Sequence, residues 1–340
     1  MRKPYRTLTL TAIAAVAVAV LAGCGAPAES TTAAVPAPVG PAELANVTLK
    51  VGDQKGGVKS LLTAAGLLDD LPYKIEFSTF TSGPPLLEAA SAGAIDIGRV
   101  GNTPPIFAAA ADAKISVVAA AQAPVADDAL LVPPDSPLRD VSELKGKTIG
   151  VAKGSSAHGQ VLYTLRAAGL STKDVKLSYL QPADAFAAFG QKAIDAWAVW
   201  DPYTSQAQQE SGARVLADGV GKTNGYVFQV AGRDALADPG KNSALREYVA
   251  RVAKAQKWAD THRPEWAAAW AAETGLKPEV TNAATARGVE LPVALDDQVL
   301  KSEQDLANAF SDEKLLPGTI DFAAFADQRY SEDLRTVREK

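Results

Sequence analysis

The chain has 340 residues, 47% hydrophobic and 21% charged, with a net charge of −5 and one cysteine. That length and apolar content provide for two domains of ordinary size, each with a packed core. A lone cysteine excludes an internal disulfide framework, and a mildly acidic chain has no electrostatic case for binding nucleic acid.

At the N-terminus, Arg2, Lys3 and Arg6 precede an uncharged apolar run from Leu8 to Leu21. The run is too short to cross about 30 Å of hydrocarbon comfortably, so residues 1–23 read as a secretory signal rather than a spanning helix. It ends in Leu21-Ala22-Gly23-Cys24, which resembles the lipobox of bacterial lipoproteins. The resemblance implies lipidation at Cys24 and an exported protein anchored to the outer face of the cell membrane, the periplasmic side in a two-membrane cell. Residues 24–45, rich in Ala, Pro, Ser and Thr, read as a flexible tether. Removing the signal takes away three cations, so any anion bound by the remaining chain must be held by local geometry.

From Val47 onward, short β-prone runs alternate with apolar-periodic helices. Val47 to Val51 leads through Gly52-Asp53-Gln54-Lys55-Gly56-Gly57 to a helix with Val58, Leu61, Leu62, Ala65 and Leu68 on one face. Lys74 to Phe77 leads to Thr81-Ser82-Gly83, with Pro84 suited to a first helical turn. Ile95 to Ile97 leads to Gly101-Asn102-Thr103, where Pro104 and Pro105 open a helix. Thr148 to Val151 precedes Lys153-Gly154-Ser155-Ser156 and a helix over about 157–168. Leu177 to Leu180 precedes a helix from Pro182, and Ala196 to Val199 precedes Trp200-Asp201-Pro202 and a Gln-rich helix. This order predicts an α/β fold with mainly parallel sheets.

Ile115 to Ala121 and Ala129 to Val132 flank a segment, 122–128, that reads as a crossing between lobes; Tyr226 to Val230 is the return. The expected division is 46–125 with 225–340 as one lobe and 126–224 as the other, with a cleft between them. Beyond Lys241 the chain reads as mainly helical, with Tyr248, Val252 and Ala255 on one face.

Ligands of such folds bind at the carboxyl ends of parallel strands, where helix N-termini present unpaired N–H groups. Ser82, Asn102 or Thr103, and Ser155 or Ser156 are capping residue types; each either caps its helix alone or also offers a donor to a ligand.

Five motifs carry a more specific likeness. Gly52-Asp53-Gln54-Lys55-Gly56, Gly83-Pro84-Pro85-Leu86-Leu87-Glu88-Ala89 and Gly101-Asn102-Thr103-Pro104-Pro105-Ile106-Phe107-Ala108 are followed by Lys153-Gly154-Ser155-Ser156-Ala157-His158 and by Asp195 to Tyr203. In this order they resemble the aliphatic sulfonate-binding proteins of sulfonate importers. The resemblance implies a two-lobed type II periplasmic-binding-protein fold that closes over a sulfonate. It implies a monomer without a cofactor, serving an ABC permease and, through it, the ATPase subunits. Relatives binding taurine or nitrate share the fold, so these ligands and a pyrimidine precursor remain alternatives.

A sulfonate is a monoanion without a proton to donate, so it is suited by neutral donors that avoid burying a second charge. The expected donors are backbone N–H groups near Gly56, Gly83 and Ser156, the hydroxyls of Ser82, Thr103, Ser155 and Ser156, and the Gln54 amide. Lys55, Gly101, Asn102 and His158 complete the polar set, and Trp200 is a wall for the tail. Asp201 reads as an N-cap, with a ligand role only if the substrate carries an ammonium. Asn102 departs from the aspartate common in the family, and Arg99 from a small residue. Arg99 either points into the cleft and favours an acidic ligand or points outward into solvent. His158 is either a neutral ring donating one N–H or a first-turn surface residue. Trp266 and Trp270, four apart, read as core packing.

An enzyme is the competing class, because related folds occur in transferases. Yet the chain has no nucleophilic cysteine, no His/Cys metal spacing, no Gly-x-Ser-x-Gly elbow and no phosphate-loop or dinucleotide fingerprint. The sequence reads as a binder.

Overall fold

The computed structural model describes residues 34–339; the signal, Cys24 and the first part of the tether lie outside the described residues. The last part of the expected tether is folded. Pro41–Leu44 (α1) is a helical turn with proline at its start, Leu44 packs on the core, and Val39 N–H donates to Ser243 Oγ at 3.1 Å.

The chain then runs β1 (Thr48–Gln54), α2 (Gly57–Ala64), β2 (Lys74–Phe80), α3 (Gly83–Ser91), β3 (Ile97–Gly101), α4 (Thr103–Ala110) and β4 (Ile115–Gln122). After a crossing come β5 (Ala129–Val132), β6 (Thr148–Val151), α5 (Ser156–Ala167), β7 (Lys176–Tyr179), α6 (Pro182–Gly190), β8 (Ala196–Val199), α7 (Tyr203–Ser211) and β9 (Arg214–Asp218). The return begins with β10 (Tyr226–Gly232). It continues through α8 (Arg233–Ala237), α9 (Pro239–Thr261), α10 (Arg263–Thr274), α11 (Pro278–Arg287), β11 (Leu291–Val293), α12 (Asp297–Asp312) and α13 (Ser331–Glu339).

Two sheets result, ordered β11-β4-β10-β3-β1-β2 and β7-β6-β8-β5-β9; the parts built on them are called here the first and second lobe. Both sheets are mixed, with four of six strands in the first and four of five in the second running the same way. In the first, β1 pairs in parallel with β2 and β3, whereas β10 runs antiparallel to β3 and β4, and β11 to β4. In the second, β6 is parallel to β7 and β8, while β5 is antiparallel to β8 and β9. Of the three reversed strands, β11 is a short edge strand, and β5 and β10 are the strands that follow a crossing. A chain that leaves one sheet at its cleft end enters the other at the cleft and runs away from it.

β1 extends through Gly52-Asp53-Gln54, read from sequence as loop. β3 lies two residues later than expected and includes two glycines. Its position between β1 and β10 outweighs glycine's weak strand preference, and a Cβ on Gly98 would stand 2.5 Å from a Leu86 methyl. Leu49, Val51, Ile97, Tyr248 and Val252 are buried in one core of the first lobe, and Trp197 is 1% exposed in the core of the second. An apolar seam joins the lobes. Leu162 of α5 packs with Leu306 and Phe310 of α12, and the His158 ring centroid lies 5.1 Å from that of Phe310 and 5.9 Å from that of Phe107.

Candidate ligand-binding site

Between the lobes, at the carboxyl ends of β1, β3 and β8, is a cavity with ≈ 100 Å³ open to the centres of water-sized spheres. At about 10–15 Å³ per water on that measure, it holds roughly seven to ten water-sized groups, the scale of a small molecule.

One wall is apolar. Trp266 and Trp270, a turn apart on α10, stack with centroids 5.3 Å apart and planes 2° from parallel. Leu61, Ala259 and Ala284 continue that wall, and Trp200 faces the cavity from the second lobe. The two tryptophans therefore do more than pack the core, as the sequence suggested; they bound the cavity. Trp270 Nε1 donates to the Lys55 carbonyl at 2.9 Å, which fixes its ring.

The opposite end is polar. Here the N-terminal ends of α4 and α5, one from each lobe, abut. A Cβ on Gly101 would lie 2.8 Å from Ser156 Cβ, so the approach requires glycine. Ser156 Oγ donates to Asp128 at 2.9 Å. Asn102 Nδ2 donates to Asn224 Oδ1 at 2.8 Å and Asn102 Oδ1 accepts from Thr103 Oγ1 at 2.9 Å. Asn224 in turn donates to Glu303 Oε1 at 2.7 Å, and its carbonyl accepts from Gln122 Nε2 at 2.8 Å. One asparagine thus ties both crossings to α12 and to the cavity.

Glu303 is fully buried, and its second carboxyl oxygen has no partner. Burial pushes its pKa well above the ordinary 4.5, against the bond from Asn224. A carboxyl with a raised folded-state pKa contributes most stability below its unfolded pKa and loses it as pH rises. Glu303→Gln keeps the acceptor and removes the charge. It should stabilise the fold at pH 7 by roughly 1–3 kcal/mol, with the gain vanishing below about pH 4 in thermal melts; a destabilised variant at pH 7 would contradict this.

The cavity carries more carboxylates than the sequence reading anticipated. Asp53 accepts N–H bonds from Gln54, Val58 and Lys59 at 2.8, 3.0 and 3.1 Å, yet burial outweighs them and raises its pKa. The positive end of α2, expected to face a ligand, is thus already occupied by the chain's own carboxylate. Asp127 and Asp128 line the cavity from the first crossing. Burial raises both pKa values, and for Asp127 the neighbouring charges of Asp128 and Asp201 add to it.

Arg99 lines the cavity rather than pointing into open solvent, and forms an ion pair with Glu290 that offsets its charge. Glu290 also accepts from Gln256 Nε2 at 3.0 Å. Gln54 lines the cavity and donates its amide to the Arg99 carbonyl at 2.8 Å. Asp201 lines it too, accepting from Arg287 Nη1 at 2.5 Å and from Ser205 N–H at 2.9 Å. Arg287 ends α11 in the first lobe and also reaches Ser205 Oγ and Gln208 in the second. Lys55 Nζ sits 5.3 Å from the Tyr203 ring centroid, a second contact across the mouth.

Of the residues expected from sequence, Gln54, Lys55, Gly101, Asn102, Ser156, Trp200 and Asp201 line the cavity. Gly56, Ser82, Gly83, Thr103, Ser155 and His158 do not. Gly56 has φ 69°, and a Cβ there would lie 2.8 Å from Thr274 Cγ2, so it lets α2 approach α10. Ser82 Oγ donates to Gln181 Oε1 at 2.9 Å across the lobes, and Gly83 packs under Pro104. Ser155 Oγ is satisfied by the Ala152 carbonyl at 2.7 Å, as Thr103 is by Asn102. His158 does not line the cavity and is not a surface residue. It is buried among Phe107, Tyr179 and Phe310, accepts Gly154 N–H at Nδ1 (3.2 Å), and leaves Nε2 without a partner. Sequence reasoning missed Asp127, Asp128, Gln256, Arg287 and Glu290. The two aspartates stood within the segment read as a crossing; nothing local signalled the others. Among the described residues no cluster of His, Cys, Asp and Glu is placed to hold a metal ion.

A small cavity between two α/β lobes, with a helix end from each meeting at one side, is the architecture of a solute-binding protein. Residues 62–275 match the NMT1-like family. A sequence from Escherichia coli (strain K12) named for binding aliphatic sulfonates is 35% identical over 285 residues, covering 82% of this chain and 88% of that one. The alkanesulfonate-binding protein of Xanthomonas axonopodis pv. citri, solved bound to MOPS, superimposes with a TM-score of 0.76 at 34% identity, covering 83% of this chain and 98% of that one. The periplasmic aliphatic sulphonate-binding protein of Escherichia coli gives a TM-score of 0.72 at 34% identity, covering 83% and 92%. The chain belongs to the NMT1-like family. It is a binding protein rather than an enzyme, as these relatives are.

Proposed function

We propose that the chain captures a small aliphatic sulfonate in this cavity and delivers it to an ABC permease for sulfur acquisition. The observation that carries the reading is the meeting of the α4 and α5 N-terminal ends at Gly101 and Ser156, opposite the Trp266–Trp270 wall. The α5 end supplies backbone donors, the α4 end, whose Pro104 and Pro105 carry no N–H, contributes chiefly its positive dipole end, and the indoles supply an apolar surface for the tail. The lobe division at the two crossings, the lipid anchor at Cys24 and a monomeric state belong to the same reading.

A thermal-shift screen of alkanesulfonates, taurine, nitrate, sulfate and pyrimidine precursors tests it. A sulfonate at 100 times its dissociation constant should stabilise the fold by about 2.7 kcal/mol. A melting temperature that answers to nitrate or a pyrimidine precursor and to no sulfonate would overturn the assignment. A second reading, that the sulfonate carries an ammonium as taurine does, is favoured by Asp127 and Asp128. They line the cavity without an Arg or Lys in ion-pair contact among the described residues. Taurine against propanesulfonate, nearly equal in size, separates the two.

A further inference from the structure

Behind Arg99 lies a second, smaller cavity with ≈ 20 Å³ open to the centres of water-sized spheres. Its walls are apolar for the most part: Ala119, Ala120 and Ala121 of β4 with Val249, Val252 and Ala253 of α9. Arg99 and Gln256 line both this annex and the main cavity. Together with Glu290, which pairs with Arg99 and accepts from Gln256, they form a side-chain wall between the two.

We infer that Arg99 sets the length of the ligand tail by walling off this apolar annex. The inference rests on the sulfonate reading and adds the residue that limits it. Gly101 and Arg99 point to the same face of β3, two residues and about 6–7 Å apart. A head group held where Gly101 meets Ser156 thus has a tail direction along the strand that ends at Arg99. The arginine is an imperfectly satisfied part of the wall: its Nε is buried without a hydrogen-bond partner, as is Oε1 of Gln229, its cross-strand neighbour on β10. The short alanine side chains on β4 leave the space behind it, which is room for roughly one or two methyl-sized groups before any side chain is removed.

The test is calorimetric titration of the full chain with straight-chain sulfonates from ethane- to octanesulfonate. With the unaltered protein, affinity should climb about fourfold per methylene and stop where the tail meets Arg99. In Arg99→Ala the climb should continue for at least two more methylenes, a gain of tenfold or more for the longer ligands. Arg99→Met, which refills the wall without charge, should keep the original cut-off. If the unpaired Glu290 prevents Arg99→Ala from folding, the double variant Arg99→Ala/Glu290→Gln carries the same expectation. An equal loss for every chain length would make Arg99 a contact of the head group and overturn the inference, as would an unchanged length profile. Straight-chain carboxylates are titrated in parallel. If they bind and sulfonates do not, and the cut-off moves in Arg99→Ala, the sulfonate reading falls and the wall stands; if neither series shows a movable cut-off, the wall falls.

Discussion

Arg287→Ala should weaken ligand binding by roughly thirtyfold or more while leaving both lobes folded. Arg287 reaches from α11 of the first lobe to Asp201, Ser205 and Gln208 of the second. The Asp201 side chain is only 7% exposed, so without the guanidinium its charge is buried and unpaired whenever the lobes are together. Truncating one partner of a buried, hydrogen-bonded charge pair costs about 2–5 kcal/mol. When the lobes part, Asp201 regains water, so the cost falls on the closed arrangement and appears as lost affinity. Titration of the variant with the best sulfonate checks this, and Arg287→Ala/Asp201→Asn should lose less than the sum of the single variants. Parental affinity in Arg287→Ala would show that the pair does not hold the lobes.

The second large effect is on stability in acid. Burial in the seam depresses the His158 pKa from 6.5 to about 4, with a smaller contribution from Lys153. A histidine whose folded-state pKa is depressed contributes stability that is fully present above pH 6.5 and is lost as pH falls toward 4. At about 1.4 kcal/mol per pH unit, the loss is on the order of 3 kcal/mol. His158→Phe retains a ring against Phe107 and Phe310 and removes the proton. Its melting temperature relative to the parent should therefore rise steadily between pH 6.5 and 4. A difference that stays constant over that range would place the imidazole in contact with water.

Much of the fold is legible because its strands are short apolar runs with clear punctuation. Ala129–Val132, Thr148–Val151 and Ala196–Val199 have the ends the sequence gives them. β3 was displaced because Gly98-Arg99-Val100-Gly101 has no β-prone pattern of its own and becomes a strand only between two others. For the site, the motif loops hold Gln54, Lys55, Gly101, Asn102, Ser156, Trp200 and Asp201, which line the cavity, but equally Gly56, Gly83, Thr103, Ser155 and His158, which do not. They do not tell which hydroxyls remain free: those of Ser155 and Thr103 are satisfied within their own turns. Nor does a local pattern reveal a pair such as Arg287 and Asp201, 86 positions apart. Arg287 followed by Gly288 reads as an ordinary helix end.

The contacts across the mouth also bear on time. Arg287 with Asp201, Lys55 with Tyr203, and Ser82 with Gln181 all bridge the lobes. For the lobes to part, all three must break together. The residence time of a captured molecule is then governed as much by these bridges as by its own contacts. Because two of the three involve a full positive charge, added salt should shorten that residence time by screening them.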